Sequence, residues 1–158
     1  MKPAIFLFII TLAIVSCNNK KDQQLAGYND RIVNIIEEAD ITMKSWNNSD
    51  IMQNYQANMS AAKSKIEVLQ DSMKLIMPVG KDDTLRLSGM AVLAGYLQTF
   101  SIYDTIYSIL SDSIYLSTDS VRVQNLLLTN KNLIEQQSAS FAEIQKRFAG
   151  RYELQFMQ

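Results

Sequence analysis

Met52 to Ile76 reads MQNYQANMSAAKSKIEVLQDSMKLI. Met52, Tyr55, Met59, Ala62, Ile66, Leu69, Met73 and Ile76 follow one another at alternating steps of three and four residues. An α-helix turns once in 3.6 residues, so this spacing places all eight side chains on one face. The stretch contains neither Gly nor Pro, and it is long enough to be a buried-face helix rather than a strand. Three of the eight are Met, a side chain that fills irregular gaps and also serves adaptable binding surfaces. A core seam is the principal reading of this face and a promiscuous binding stripe is the alternative.

Working outward from this helix, Pro78 ends it because proline cannot donate to the helical ladder. Val79-Gly80-Lys81-Asp82-Asp83 forms the next loop. On the other side, Asn47-Asn48-Ser49 reads as a turn, since Asn and Ser side chains bond nearby backbone. Ser49 or Asn48 is the expected cap, with Asp50 in the first turn. Before that turn, Tyr28, Ile32, Ile35, Ala39, Met43 and Trp46 recur at helical spacing, which predicts a first helix from about Leu25 to Trp46. Glu37, Glu38 and Asp40 fall on or beside its polar side.

A third helix is expected from about Thr84 to Leu116, capped by Asp82 or Asp83. Its seam is Leu93, Tyr96, Phe100, Tyr103, Tyr107, Leu110 and Ile114, widened by Ile102, Ile106 and Ile109. Gly89 and Gly95 interrupt it, each at a cost of about 1 kcal/mol relative to Ala. With Ala91 and Ala94 they read as one smooth patch. Close approach of a neighbouring helix explains the patch, and room for a ligand is the alternative. Gly89, Gly95, Tyr96, Phe100, Tyr103 and Tyr107 are accordingly the candidate core or ligand-facing residues.

Ser117-Thr118-Asp119-Ser120 is a turn-and-cap cluster, followed by a fourth helix from about Ser120 to Ala149. Val123, Leu127, Ile134, Phe141, Ile144 and Phe148 line its inner side. Asn130, Gln137 and Ser138 lie among them and are expected to hydrogen-bond the tyrosines of helix three, because a buried tyrosine hydroxyl usually finds a partner. Gly150 is expected to stop this helix in a left-handed conformation. Tyr152, Leu154 and Phe156 then alternate as an extended tail. Short turns between four helices predict an all-α fold, an antiparallel up-down-up-down four-helix bundle spanning 25–158. An elongated two-stranded coiled-coil dimer is the rival, disfavoured by the chain-reversing clusters at 47–49, 78–83 and 117–120.

The N-terminus carries a different signal. Lys2 is followed by Ala4 to Val15, apolar except for Thr11, and then by Ser16 and Cys17. The apolar run is too short for the about 20 residues that a membrane-spanning helix needs. Ile14-Val15-Ser16-Cys17 resembles a lipobox, and residues 1–16 resemble a bacterial lipoprotein signal peptide. The resemblance implies cleavage before Cys17 and lipidation of that residue. An ordinary cleaved signal and an uncleaved interfacial helix are the alternatives. Cys17 is the chain's only cysteine, so no intrachain disulfide can form. Residues 17–24, with the polar run Asn18 to Gln24, are expected to form a flexible tether.

Of the 15 basic side chains, residues 1–16 hold one, Lys2, so 14 remain against 16 acidic ones, a formal net charge of −2. That balance supplies no electrostatic footprint for nucleic acid. Histidine is absent. The Glu-x-x-His pairs of di-iron bundles, His/Cys zinc sites and histidine-dependent nucleophilic devices therefore cannot be assembled. No Gly-rich phosphate loop surrounds Gly80-Lys81. Glu37 with Asp40, and Asp82 with Asp83, lack the ordered oxygen spacing of a calcium loop. They read as a solvated face and a helix cap. Asp104, between Tyr103 and Tyr107, is the acid expected nearest the core. No metal, cofactor or catalytic residue is expected.

The lipobox, Tyr28-Asn29-Asp30-Arg31-Ile32-Val33 near the start of the first helix, and Phe148-Ala149-Gly150-Arg151-Tyr152 near the end together resemble small helical surface lipoproteins of spirochaete and Bacteroidota type. That resemblance implies a helical bundle on the bacterial cell envelope with no established activity; the chain itself reads as a non-enzymatic lipoprotein of the outer membrane, with the periplasmic and surface faces both open. Its implied partners are the membrane, through the lipid anchor, and an envelope protein. The resemblance transfers no catalytic or binding residues.

Overall fold

The computed structural model describes residues 20–48, 55–111 and 117–152. These form four helices: α1 (Lys20–Asn48), α2 (Tyr55–Lys74), α3 (Thr84–Leu110) and α4 (Ser117–Arg151). The fold is all-α. Among the described residues no helix is long and apolar enough to cross a membrane. Residues 1–19, with Cys17, lie outside the described part. So do Met52, the Ser49–Asp50 cap, Ile114, Leu154 and Phe156.

Tyr55, Met59, Ala62, Ile66, Leu69 and Met73 of α2 are all buried, and Ile76 just beyond the helix is buried too. The helix ends earlier than its proline suggests. Leu75 N–H donates to the carbonyls of Asp71 and Ser72, and Ile76 N–H to that of Met73, closing the last turn tightly at Lys74. Gly80 takes φ of 81° in the following turn, a conformation that glycine adopts without a Cβ penalty.

Capping of α3 divides between the two loop acids. Asp82 Oδ1 accepts from Thr84 N–H at 3.1 Å and from Thr84 Oγ1 at 2.6 Å. Asp83 occupies the cap position without capping through its side chain. It accepts instead from Arg86 Nε at 2.7 Å and from the Tyr28 hydroxyl at 3.3 Å.

Other expected boundaries change: α1 runs through Asn47 and Asn48, expected as a turn, and α4 begins at Ser117, within the expected turn cluster. α1 begins at Lys20, so residues 20–24 belong to the helix rather than to a tether. α3 ends at Leu110 with Ser111 as its cap. α4 runs through Gly150, which is helical rather than left-handed. Local and tertiary contacts both carry α4 past the glycine. Tyr152 N–H donates to Phe148 O, the Tyr152 ring packs on Phe148, and Arg151 pairs with Asp82.

α3 is the hub. It packs against α1, α2 and α4, and α1 packs against α2. Along α1 and α3 the paired residues rise together: Tyr28 with Asp83, Asp40 with Tyr96, Trp46 with Tyr103. Along α2 and α3 the order is reversed, with Tyr55 on Tyr107 and Met73 beside Gly89. The same reversal holds for α3 and α4, where Asn130 meets Thr99 and Gln137 meets Gly95. Tyr28, Ile32, Ile36, Ile66, Met73, Leu93 and Phe100 form the centre of the core. α4 adds the narrower stripe Ile134, Phe141 and Phe148.

Candidate functional site

The small residues of α3 do not form one patch. Gly89 and Gly95 are buried, whereas Ala91 and Ala94 are exposed on another side. The two glycines also face different neighbours. A Cβ on Gly89 would stand 2.9 Å from Met73 Cε and 3.4 Å from Ile32 Cγ2. A Cβ on Gly95 would stand 1.7 Å from Oε1 of Gln137. α4 inserts the end of the Gln137 side chain where that Cβ would stand. The space beside both glycines is occupied by the protein itself.

Tyr96, the next residue, points toward α1. Its hydroxyl donates to Oδ1 of Asp40. Tyr96 is 4% exposed and Asp40 5%. Burial pushes the Asp40 carboxyl above its ordinary value, because desolvation disfavours the charged form. The Tyr96 hydrogen bond and the Lys44 charge oppose that shift, and Glu37 adds to it. Tyr96 is itself raised, by burial first and then by the neighbouring Asp40 charge. The other carboxylate oxygen of Asp40 makes no hydrogen bond. The pair is sealed within the core, so a solute would have to part packed helices to reach it.

Asp40 corrects the choice of Asp104, which is exposed. A signal for Asp40 was present. It follows Ile32 and Ile36 at steps of four, on the same stripe, while the acidic neighbours Glu37 and Glu38 drew the reading toward the polar face. The expected Tyr–Asn and Tyr–Gln bonds are likewise replaced. Asn130 Oδ1 accepts from Thr99 Oγ1 at 2.8 Å, and Thr99 also donates to Gly95 O at 3.1 Å. Gln137 Oε1 is buried without a hydrogen bond, pressed against the Gly95 backbone.

Aromatic rings gather where α1, α2 and α3 meet. Trp46 sits edge-on to Phe100 at 4.9 Å and to Tyr103 at 5.1 Å. Tyr55 stacks on Tyr107 at 4.5 Å with the rings 9° apart. Phe100 is fully buried, Tyr103 half-buried, and Tyr107 exposed at the edge. The Tyr55 hydroxyl is buried without a hydrogen bond, and its pKa is pushed up to about 12, by burial first and then by Asp104, Tyr103 and Tyr107. Offset and edge-on rings add about 0.5–1.5 kcal/mol each beyond their burial. This cluster accounts for the aromatic seam as packing between helices.

A second cluster joins α1, α3 and α4 at the opposite end. Tyr28 packs on Phe148 at 5.7 Å and donates to Asp83, which Arg86 also holds. The Arg86 guanidinium keeps Asp83 below the usual carboxylate range. Hydrogen bonds from Thr84 do the same for Asp82. Burial, then the Asp83 charge, raises the Tyr28 pKa to about 12.

Two surface depressions are open to solvent. One, of about 460 Å³, lies between Asp104, Thr105, Ser108, Asp119 and Arg122, where α3 ends and α4 begins. The other, of about 730 Å³, runs between Gln23, Gly27 and Arg31 of α1 and Met77, Pro78 and Val79 of the loop. Among the described residues no three Asp, Glu, Cys or His side chains gather as a metal site. Comparison with protein-family models, with curated proteins and with solved structures finds no match.

Proposed function

We propose that the chain is a lipoprotein of the bacterial cell envelope, cleaved before Cys17 and held at the outer membrane by acyl chains on that residue. Its helices follow an up-down-up-down antiparallel course, and the folded part serves as a non-enzymatic protein-interaction or structural module. The pairings of α1 with α3 in the same order, and of α2 and α4 with α3 in reverse order, support that course. Two or more acyl chains are needed for stable attachment, since each buried CH₂ contributes only about 0.8 kcal/mol.

The observation that carries the module reading over a carrier of apolar ligands is the filling of the α3 interface. Met73 and Ile32 close on Gly89, and Gln137 closes on Gly95. A carrier needs an enclosed apolar pocket of about 300 Å³ or more. Both depressions are open grooves at the ends of helices instead. The test is fractionation and crosslinking of the native chain in intact cells. Cys17→Ala is expected to leave the membrane fraction, and the lipidated chain to crosslink an envelope protein. Unchanged membrane retention of Cys17→Ala would refute the anchor. Lipid or another apolar molecule co-purifying in fixed proportion would favour the carrier.

A further inference from the structure

α1 starts three residues after Cys17. Three extended residues reach about 11 Å at most. The headgroup layer on each side of a bilayer is about 5–8 Å thick, the difference between the hydrocarbon core and the whole membrane. An acylated Cys17 therefore holds the first turn of α1 at the membrane surface. A tether running to Gln24 would reach roughly 25 Å and would leave the domain free to swing away.

Exposed apolar side chains stand beside the first turns of α1, among polar ones. Leu75 is 81% exposed and Met77 77%, the two most exposed large apolar side chains among the described residues. Met77 shares a groove with Gln23, Gln24 and Gly27 of α1, which fixes it next to the N-terminal turns. Ile76 between them is buried in the core, so the loop is pinned and its neighbours on either side are turned outward. Pro78 further restricts Met77 to extended backbone. Several charges at this end are paired within the protein, Lys74 with Asp71, Arg86 with Asp83 and Arg151 with Asp82, while Lys81 of the loop and Arg31 of the groove belong to none of these pairs. Two large exposed apolar side chains, Leu75 and Met77, distinguish this surface, and apolar contact is what they offer.

We infer that the first turns of α1 and the 75–81 loop form a membrane-seating surface, with Leu75 and Met77 lodged in the interface of the bilayer that holds the acylated Cys17. The inference rests on the lipid-anchor reading and adds an orientation to it: the helices stand with the α2–α3 loop toward the lipid, and the Tyr55–Tyr107 end points away.

The test uses the lipidated full-length mature chain in phosphatidylcholine vesicles, with a nitroxide attached at Leu75→Cys, at Met77→Cys, or at the exposed reference Leu128→Cys on α4. Labels at 75 and 77 are expected to gain contact with dissolved oxygen and lose contact with a water-soluble nickel complex on vesicle binding. The label at 128 should not change, and added salt should not alter the pattern. Labels at 75 and 77 that stay as water-accessible as the one at 128 overturn the seating. The mass of the Cys17 peptide separates the two ideas. Acylated Cys17 with water-exposed labels overturns the seating alone, whereas unmodified Cys17 overturns the anchor and the seating together. Shielding at 77 in intact cells but not in vesicles assigns the surface to a protein partner and also overturns the proposal.

Discussion

The Tyr96 hydroxyl of α3 donates to the Asp40 carboxylate of α1 inside the core. Removing the donor leaves a buried carboxylate without a partner, which costs about 1–3 kcal/mol or more for a charged group. Tyr96→Phe is expected to lower stability by at least that amount in urea denaturation. In a double-mutant cycle with Asp40→Asn the two changes should be non-additive, with a coupling of about 0.5–3 kcal/mol. Additive effects would mean that the contact carries no energy.

The same pair sets a pH dependence. Asp40 ionises with an ordinary value of 3.8 when unfolded, and burial raises it in the folded chain. The folded state therefore keeps a proton that the unfolded state has released. That contribution to stability is present below pH 3.8 and is lost as pH rises through the folded value. Asp82 and Asp83 are lowered instead, so their contribution is lost as pH falls below 3.8. The stability of the wild type relative to Asp40→Asn should thus decline as pH rises above about 4. A flat difference between the two proteins across that range would remove Asp40 as the cause.

At alkaline pH Tyr28 takes over. Its pKa rises from 10.0 to about 12 in the folded chain, so stability should fall as pH climbs through that interval. Tyr28→Phe should lose this part of the alkaline decline, read by thermal unfolding at a series of pH values. An unaltered decline would place its origin elsewhere.

Glycine substitutions should separate two environments on neighbouring helices. At Gly150, a Cβ meets nothing within 4 Å and the backbone is helical, so Gly150→Ala should stabilise by about 0.4–1 kcal/mol. At Gly95, a Cβ would displace the end of the flexible Gln137 side chain, which offsets part of that gain. Gly95→Ala is expected to gain less stability than Gly150→Ala, and adding Gln137→Ala should narrow the difference. Equal effects at the two positions would contradict the close approach of α4.

Core and surface apolar residues should differ as sharply. Phe100 is fully buried against Trp46, and Leu69 is buried in the α2 seam. Phe100→Ala is expected to cost about 3–5 kcal/mol and Leu69→Ala about 2–5 kcal/mol. Leu128→Ala, on an exposed face of α4, should stay within about 0.5 kcal/mol. Denaturant midpoints of the three variants would check the assignment of faces.

Reading along the chain alone, the α2 seam from Tyr55 to Ile76 was fully legible. A helix's apolar stripe is written at steps of three and four within one segment, and no neighbour is required to recognise it. The same held for the existence of four helices. Other features were settled only by which helix lies against which. The space beside Gly95 is taken by a glutamine 42 positions later, brought over it by α4. Asp40, rather than Asp104, entered the core because α3 presents a tyrosine hydroxyl to it. α4 passed Gly150 where Phe148 and Arg151 found partners on other elements, Tyr28 and Asp82. Periodicity is local and survives in one dimension. The partner of a buried polar group, or the side chain that fills a glycine's missing Cβ, is a long-range contact that exists only once the helices have packed.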